Sequence, residues 1–213
     1  MAGVDNKAVH KERKLGRPAD TDSTDTRDRI VRCAQEIFAA EGFEGTTNKD
    51  IAARAEISSA ALYHYFPSKA EMYVAVCESI TCVFVDVFSH ATSSDPRLER
   101  RLTALFSEVG TLGASSPSIV GFITGISAVV KRHPEVARGT EAFGLEFRKM
   151  TLQLIETSTE SERILQGVTP ASFADLTASI LAGLGRLSAR GDQARHLAAG
   201  DAFLRLIRAA ARN

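Results

Sequence analysis

The stretch from Ile57 to Lys69, ISSAALYHYFPSK, brings two tyrosines, a histidine and a phenylalanine together in one short segment. Ser58 is a residue type that commonly caps the start of a helix. Pro67 ends a helix, because its ring disfavours a helical conformation in the residue before it. The sequence therefore predicts a short helix between these two residues.

The aromatic side chains of this helix divide between two faces. At about 100° per residue, one face carries Ala61, Leu62, Tyr65 and Phe66, and the other carries Ser59, Ala60, Tyr63 and His64. Leu62 and Phe66 are the expected core anchors, with Tyr65 at their edge. The second face has small side chains, a phenol and an imidazole but no large aliphatic residue, which suits close approach to a polar surface carrying hydrogen-bond acceptors.

The residues before this helix predict a second short helix. Thr47 stands three residues before Asp50, an approximate capping box that opens the segment NKDIAARA. Ala55 to Ile57 is too short to be anything but a turn. Two short helices joined by such a turn, the second with a polar face, form a helix-turn-helix, whose second helix enters the DNA major groove. The alternative is a solvated face of an ordinary helical bundle, and the complete order of caps, helices, turn and stop favours the DNA-binding interpretation.

The segment Arg29 to Val76, RIVRCAQEIFAAEGFEGTTNKDIAARAEISSAALYHYFPSKAEMYVAV, resembles the TetR family of bacterial transcriptional regulators. The resemblance implies an all-helical homodimer that binds a near-palindromic operator and is usually released by a small molecule bound in a C-terminal domain. The segment LGRP, residues 15–18, resembles N-terminal extensions that contact DNA in some members. Carried over position by position, the implied DNA contacts are Thr47, Ser58, Ser59, Ala60, Tyr63, His64 and Lys69, together with Arg17 in that extension.

Two positions depart from the family pattern. The turn usually has glycine where this chain has Glu56, and a residue with a side chain costs about 1 kcal/mol in a left-handed conformation. The second position of the recognition helix is often basic, whereas Ser59 is neutral. One phosphate or guanine contact is therefore expected to be absent.

The rest of the chain contains no strand-like alternation, so the predicted fold is all-α with about nine helices. Ser68 and Glu71 form a second capping box, of the Ser-x-x-Glu type, which starts a long helix. Residues 1–26 are predicted to be a flexible arm, first basic and then acidic. Residues 27–75 are predicted to be the helix-turn-helix domain, called the head below, and residues 76–213 a helical domain for ligand binding and dimerisation, called the body.

The charges of the chain are distributed unevenly although the formal net charge is zero. Between residues 27 and 76, seven acidic residues outnumber six basic residues. Because neutralisation of phosphates supplies much of the affinity for DNA, the basic part of the arm is expected to matter more than in a protein with a basic head. Its five basic residues are Lys7, Lys11, Arg13, Lys14 and Arg17.

Apolar residues of the body suggest a hydrophobic effector, such as a lipid-like, acyl or aromatic compound. For each residue alone, a place in the bundle core is the favoured alternative. The candidate ligand contacts are Phe84, Phe88, Phe106, Phe122, Ile126, Phe143, Phe147 and Met150.

The last two predicted helices carry more apolar and small residues than one buried seam needs, which predicts a four-helix dimer interface. The alternative is that these helices wrap the body of a monomer. The candidate interface residues are Leu176, Ile180, Leu184, Leu187, Phe203, Leu204 and Ile207.

The sequence contains no catalytic constellation. Its five histidines show no HExxH or other metal-ligand spacing, and no GxSxG, P-loop or GxGxxG motif is present. No enzyme activity, metal or cofactor is therefore expected. The alternative function is a helical small-molecule-binding protein, or an enzyme with a site built from distant residues, without specific DNA binding.

Two further expectations concern cysteine chemistry and cellular location. The three cysteines, Cys33, Cys77 and Cys82, form no CxxC pair and are predicted to be buried free thiols. No uninterrupted apolar run reaches the roughly 18 residues of a membrane span, and the N-terminus has no signal-peptide pattern. A cytoplasmic location is therefore expected.

Overall fold

The computed structural model describes residues 19–212, with side chains from residue 23 onward. Within this range the chain forms ten α-helices and one short 3-10 helix, with an isolated bridge between Arg97 and Thr159 and no named strand. The all-α prediction is confirmed, with one more helix than expected. The α-helices are α1 Ala19–Gly45, α2 Asn48–Arg54, α3 Ser59–Tyr65, α4 Lys69–Ser94, α5 Leu98–Ser115, α6 Pro117–Arg132, α7 Ala137–Glu156, α8 Ser161–Leu165, α9 Pro170–Ala189 and α10 Gln193–Ala210, and the 3-10 helix is Pro134–Val136.

The start of α1 corrects one prediction. Residues 19–26 were expected to be a flexible part of the arm, but they belong to the helix that continues through the head. The acidic composition that suggested a linker is also favoured near a helix N-terminus, because the helix dipole is positive there. At its other end the helix is broken at Gly42, whose φ of 73° lies in the left-handed region that glycine adopts without strain.

The head packs α1, α2, α3 and the first turns of α4 around a shared apolar core. Ile30 of α1, Ile51 of α2 and Leu62 of α3 are all fully buried. The Arg29 Nε donates to the backbone carbonyl of Ala55 at 3.1 Å, which fastens the α2–α3 turn to α1. Both short helices are therefore held by the long ones on either side of them in sequence.

The long helix α4 runs from the head into the body, with buried residues along most of its length. It is the only single helix in the described range whose length and composition would allow a membrane span. The pair α5 and α6 satisfies that test only jointly, across a bend of 102°. Half of the apolar window of α4 is buried inside the protein, as expected for the central helix of a globular fold.

The body surrounds the second half of α4. Helices α5 and α7 pack against α4, α9 packs against α6 and α7, and α10 packs against α9 and α5. The polar stretch from Thr157 to Pro170, between α7 and α9, contains the short helix α8. The buried guanidinium of Arg101 ties the start of α5 to the end of α7 through bonds to the carbonyl of Asp95 at 2.6 Å and the hydroxyl of Thr157 at 2.9 Å.

The three cysteines are free, as predicted, but they are not all buried. Cys77 is buried in α4, and burial raises the pKa of its thiol to about 12. Cys33 is half-buried. Cys82 lies exposed on the surface of α4, because the helical spacing of apolar residues around it did not place it on the packed face.

Candidate nucleic-acid interface

Side-chain caps set the three helix starts that shape this surface. The hydroxyl of Thr47 accepts from the backbone N–H of Asp50, and the Asp50 carboxylate accepts from the backbone N–H of Thr47, so the predicted capping box is complete. Ser58 accepts from the N–H of Ala61 at 3.1 Å, and Ser68 accepts from the N–H of Glu71 at 3.1 Å. Each helix starts within one residue of the predicted position.

The two faces of α3 are divided as the sequence predicts. Leu62 is fully buried and Phe66 is 3% exposed, whereas Tyr63 is 52% exposed. Tyr65 lies half-buried at the edge of the core. The other predicted contacts on this surface, Thr47, Ser58, Ser59, Ala60 and His64, are also exposed. The structure therefore leaves all of these side chains accessible on the surface of the head.

The phenol of Tyr63 is fixed by a residue that the sequence did not single out. The Nδ2 of Asn48, the first residue of α2, donates to the Tyr63 hydroxyl at 3.0 Å. The pair joins the two helices across the exposed surface. Only the polarity of a residue beside the cap could have drawn attention to Asn48, because the contact spans fifteen positions of sequence.

The turn between α2 and α3 holds Glu56 in the left-handed region, with a φ of 55°. A left-handed conformation was expected here because the family usually has glycine at the position of Glu56. The backbone N–H of Ile57 donates to the carbonyl of Ala52 at 3.0 Å, which closes the turn. Glu56 therefore tolerates the strained conformation and the turn keeps its geometry.

Lys69 is engaged within the protein, which was not expected of a predicted DNA contact. Its Nζ donates to the carbonyls of Phe43 at 2.6 Å and Thr46 at 3.0 Å, and it lies 4.5 Å from the centroid of the Phe43 ring. This geometry favours a role in joining α4 to the end of α1. A contact between Lys69 and DNA stays a prediction.

Most cations of the head also have partners inside the head. Arg27 lies 5.0 Å over the ring of Phe66, Arg29 binds the carbonyl of Ala55, and Arg54 pairs with Glu36. Arg32 and Lys49 are exposed, with no hydrogen bond or ion pair to the side chains described from residue 23 onward. The head thus offers few uncommitted positive charges to a phosphate backbone.

The predicted ligand residues do not line one pocket. Phe84, Phe88, Phe143 and Phe147 form an aromatic cluster between α4 and α7, with ring centroids 5.3 to 6.3 Å apart. Phe122 instead packs against Tyr73 at 4.5 Å, near the head. Phe106 stacks on Phe203 of α10 at 5.1 Å. Met150 is buried and Ile126 is half-buried.

Two openings lie away from that aromatic cluster. A cavity of about 50 Å³ lies between α5, α6, α9 and α10, and among its lining residues are Phe106, Gly110 and His196. A groove of about 310 Å³ runs beside α4, between Tyr65, Val74 and Glu135. Of the predicted ligand residues, only Phe106 borders either opening.

The predicted interface residues fall in different environments. Leu176 is exposed, but Leu184 and Ile207 are each only 6% exposed and pack within the chain, and their place in a dimer interface stays a prediction. The others, Ile180, Leu187, Phe203 and Leu204, are half-buried. Helical periodicity identified the apolar residues of α9 and α10. It did not show which of these residues are buried by other helices of the same chain. Leu197 and Leu206 of α10 are exposed, and neither was among the candidate interface residues.

Arg17 and the rest of the basic segment lie outside the described residues. Across the described part of the chain, no group of three or more His, Cys, Asp or Glu side chains could hold a metal ion.

Comparison with known proteins finds similar sequences for the head. The pattern of the family described as "Bacterial regulatory proteins, tetR family" matches residues 30–76. The HTH-type transcriptional repressor NicS of Pseudomonas putida is 36% identical over 59 residues, which is 28% of either chain, so less than a third of that relative is matched.

Solved structures resemble nearly the whole chain. The structure of Salmonella enterica GusR gives a TM-score of 0.71 at 21% identity, covering 94% of this chain and 100% of GusR. The regulator FadR of Bacillus subtilis, solved in complex with stearoyl-CoA, gives a TM-score of 0.69 at 14% identity, covering 84% of this chain and 96% of FadR. At these identities the likeness shows the fold.

Proposed function

We propose that this chain is a repressor of the TetR family of bacterial regulatory proteins, whose pattern matches residues 30–76, and that it binds a near-palindromic operator as a homodimer and leaves it when a small hydrophobic effector binds. Regulators of this family are DNA-binding proteins rather than enzymes, so the enzyme alternative is set aside. The proposed place of action is the cytoplasm, where the operator lies.

The exposed face of α3 carries the proposal. It presents small residues at its N-terminal end, then Tyr63 and His64, while Leu62 and Phe66 fix the helix to the head. Small side chains allow the backbone to approach base edges, and a phenol or imidazole reaches phosphates or bases. This is the arrangement expected of a recognition helix in the major groove.

Two similarities support repression as the mode of action and a hydrophobic compound as the effector. NicS is named a transcriptional repressor, which favours repression over activation. FadR was solved with stearoyl-CoA, which is consistent with an acyl or other hydrophobic effector in a body of this fold. The aromatic cluster between α4 and α7 is the apolar region where we propose that such a compound enters, by rearrangement of Phe143 and Phe147, which are only half-buried.

Dimerisation through α9 and α10 is supported by apolar side chains left uncovered on these helices. Leu176, Leu197 and Leu206 are 49%, 61% and 70% exposed. Exposed alanines at positions 194, 198, 202 and 209 continue the apolar surface of α10. Large leucines among small residues suit close packing against the same helices of a second copy.

The proposed switch runs through α4, which contributes buried residues to both parts of the molecule. Met72 and Tyr73 are buried in the head, and Phe84 and Phe88 belong to the aromatic cluster of the body. An effector that displaces the cluster would tilt α4 and change the separation of the two heads in the dimer. Both recognition helices would then no longer fit successive major grooves.

Selection of bound fragments from a random DNA pool tests the DNA-binding proposal. We expect a near-palindromic site, and Tyr63→Ala should weaken its binding roughly 10-fold or more, by loss of a charge-assisted hydrogen bond. Lys149→Ala, which removes an exposed side chain of α7, is the matched control and should bind normally. Failure to enrich any sequence would contradict the proposal, and compounds that release the selected DNA would identify the effector.

Light scattering during size-exclusion chromatography tests the dimer. The wild-type chain should elute as a dimer, and Leu206→Arg should yield monomer with weaker operator binding. Leu145→Arg is the control, since Leu145 is equally exposed, at 68%, but lies on α7. A wild-type monomer would contradict the dimer, because a two-fold operator needs two heads.

Deletion of residues 1–18 tests the contribution of the basic segment. Because the head has few uncommitted cations, we expect the deletion to lower operator affinity and to flatten the dependence of affinity on salt. An unchanged affinity with an unchanged salt slope would contradict this part of the proposal.

A further inference from the structure

Asn48 and Tyr63 form a polar contact between the two short helices of the head. Asn48 Nδ2 donates to the Tyr63 hydroxyl at 3.0 Å, and among the described residues this is the one side-chain hydrogen bond that joins α2 to α3. Asn48 is half-buried, and Tyr63 is 52% exposed on the recognition helix. The contact therefore lies at the edge of the surface proposed to meet DNA.

The other side of the Asn48 amide has no partner among the described residues. Its Oδ1 is buried and accepts no hydrogen bond from any side chain or backbone group within that range. Exchanging the two amide atoms would bury an NH₂ group without an acceptor, which is rarer in proteins than an unpaired carbonyl oxygen. The orientation with Nδ2 toward Tyr63 is therefore the favoured one.

An unpaired buried oxygen is unfavourable for folding, and such groups are few in native proteins. A residue that retains one is commonly held in place for function rather than for stability. In Asn48, the amide that carries the unpaired oxygen is the same amide that binds the Tyr63 phenol.

The direction of this hydrogen bond determines what Tyr63 can do. A phenol is both a donor and an acceptor. Because the Tyr63 oxygen accepts from Asn48, its own hydrogen is not used in the contact and is available for an acceptor outside the protein. A phosphate oxygen is such an acceptor, and a hydrogen bond to it is charge-assisted.

We propose that Asn48 is a positioning residue for DNA binding, which holds the Tyr63 phenol so that its O–H donates to a phosphate of the DNA backbone. This inference rests on the proposed function. Asn48 acts through Tyr63, so its contribution depends on the presence of the Tyr63 hydroxyl.

A double-mutant cycle on the selected operator tests this dependence. Asn48→Ala should weaken binding roughly 3- to 10-fold, the range of one neutral hydrogen bond. Tyr63→Phe should weaken it by about 10-fold or more, and Asn48→Ala added to Tyr63→Phe should cause no further loss. The salt slope should stay unchanged in all three variants, because none removes a charge.

Thermal unfolding separates positioning from a structural role. Asn48→Ala removes the unpaired oxygen and leaves the Thr47 cap intact, so its Tm should equal or exceed that of the wild type. Asn48→Asp keeps the shape but can only accept from the Tyr63 hydroxyl, and it adds a negative charge near phosphate. It should therefore bind DNA more weakly than Asn48→Ala.

Several outcomes would overturn the inference. Wild-type affinity in Asn48→Ala would do so, as would equal losses from this change in the wild-type and Tyr63→Phe backgrounds, or a Tm loss that accounts for weaker binding. If Tyr63→Phe weakens binding while Asn48→Ala does not, the proposed function stands and only the role of Asn48 fails. If the wild-type chain selects no DNA, both fail together.

Discussion

The head and the body of this protein are built in different ways. In the head, α2, α3 and α4 each begin with a side-chain cap, from Thr47, Ser58 and Ser68. In the body, only α9 and α10 begin with such a cap, from Thr169 and Asp192, whereas α5, α6, α7 and α8 begin without a side-chain cap bond. The helices α2 and α3 have seven residues each, a length at which an isolated helix is unstable in water. Caps and contacts with neighbouring helices must therefore supply the stability that these short helices lack on their own.

This difference explains why the family pattern covers the head and not the body. A seven-residue helix that is buried on one side and is proposed to face DNA on the other has few positions free to vary. The long helices of the body are held by extended apolar packing, which many combinations of residues satisfy. Chains with different body sequences can therefore share the body fold, as the structures of 14% and 21% identity do.

Removing the side chain that anchors α3 to the head core should have the largest effect. Phe66→Ala deletes a buried ring and should lower the free energy of unfolding by about 3–5 kcal/mol. Phe143→Ala in the body is the control, with a smaller loss expected because Phe143 is only half-buried. Circular dichroism during thermal unfolding measures both, and equal losses would show that the head is no more sensitive than the body.

The contact between head and body can be tested at one glycine of α7. A Cβ atom on Gly139 would lie 2.6 Å from both methyl groups of Val74 in α4, so Gly139→Ala should destabilise by about 1–3 kcal/mol. Gly144→Ala on the same helix meets nothing within 4 Å and should stabilise by about 0.5–1 kcal/mol. Opposite signs in chemical denaturation are expected, and a stabilising Gly139→Ala would mean that α4 and α7 separate easily.

The smallest expected effect is at the α2–α3 turn. Glu56→Gly should stabilise the head by about 1 kcal/mol, because glycine adopts the left-handed conformation without the clash of a side chain. Glu56→Ala keeps the Cβ atom while removing the charge, so it should give no comparable gain. If both variants stabilise equally, charge rather than backbone strain is the cause.

Much of the head was predictable because its signals are local. Ser58, Pro67 and the Thr47–Asp50 pair act over a few residues, and the structure contains each helix end that they predict. The buried and exposed faces of α3 followed from helical spacing, because the apolar side chains of Leu62 and Phe66 are expected to be buried and both are.

The remaining features depend on contacts distant in sequence. Periodicity gave α9 and α10 their apolar faces, but only the packed chain shows that Leu184 and Ile207 are covered internally. Phe106 and Phe122 share a residue type and a region, yet they pack against Phe203 and Tyr73 in separate places. The exposed charge expected of Lys69 is instead bound by carbonyls of the α1–α2 segment.

The length of α4 makes it a lever. Its 26 residues span about 39 Å at 1.5 Å per residue. By simple geometry on that length, a tilt of about 5° around its midpoint moves each end by roughly 1.7 Å, and two opposed helices in a dimer would double the change to about 3.4 Å. Recognition helices must match a groove repeat of about 34–36 Å, so this movement shifts their register by roughly a tenth of a helical turn. Binding of a compound no larger than a phenylalanine ring could therefore shift the far end of α4 enough to weaken DNA binding, without any unfolding of the head.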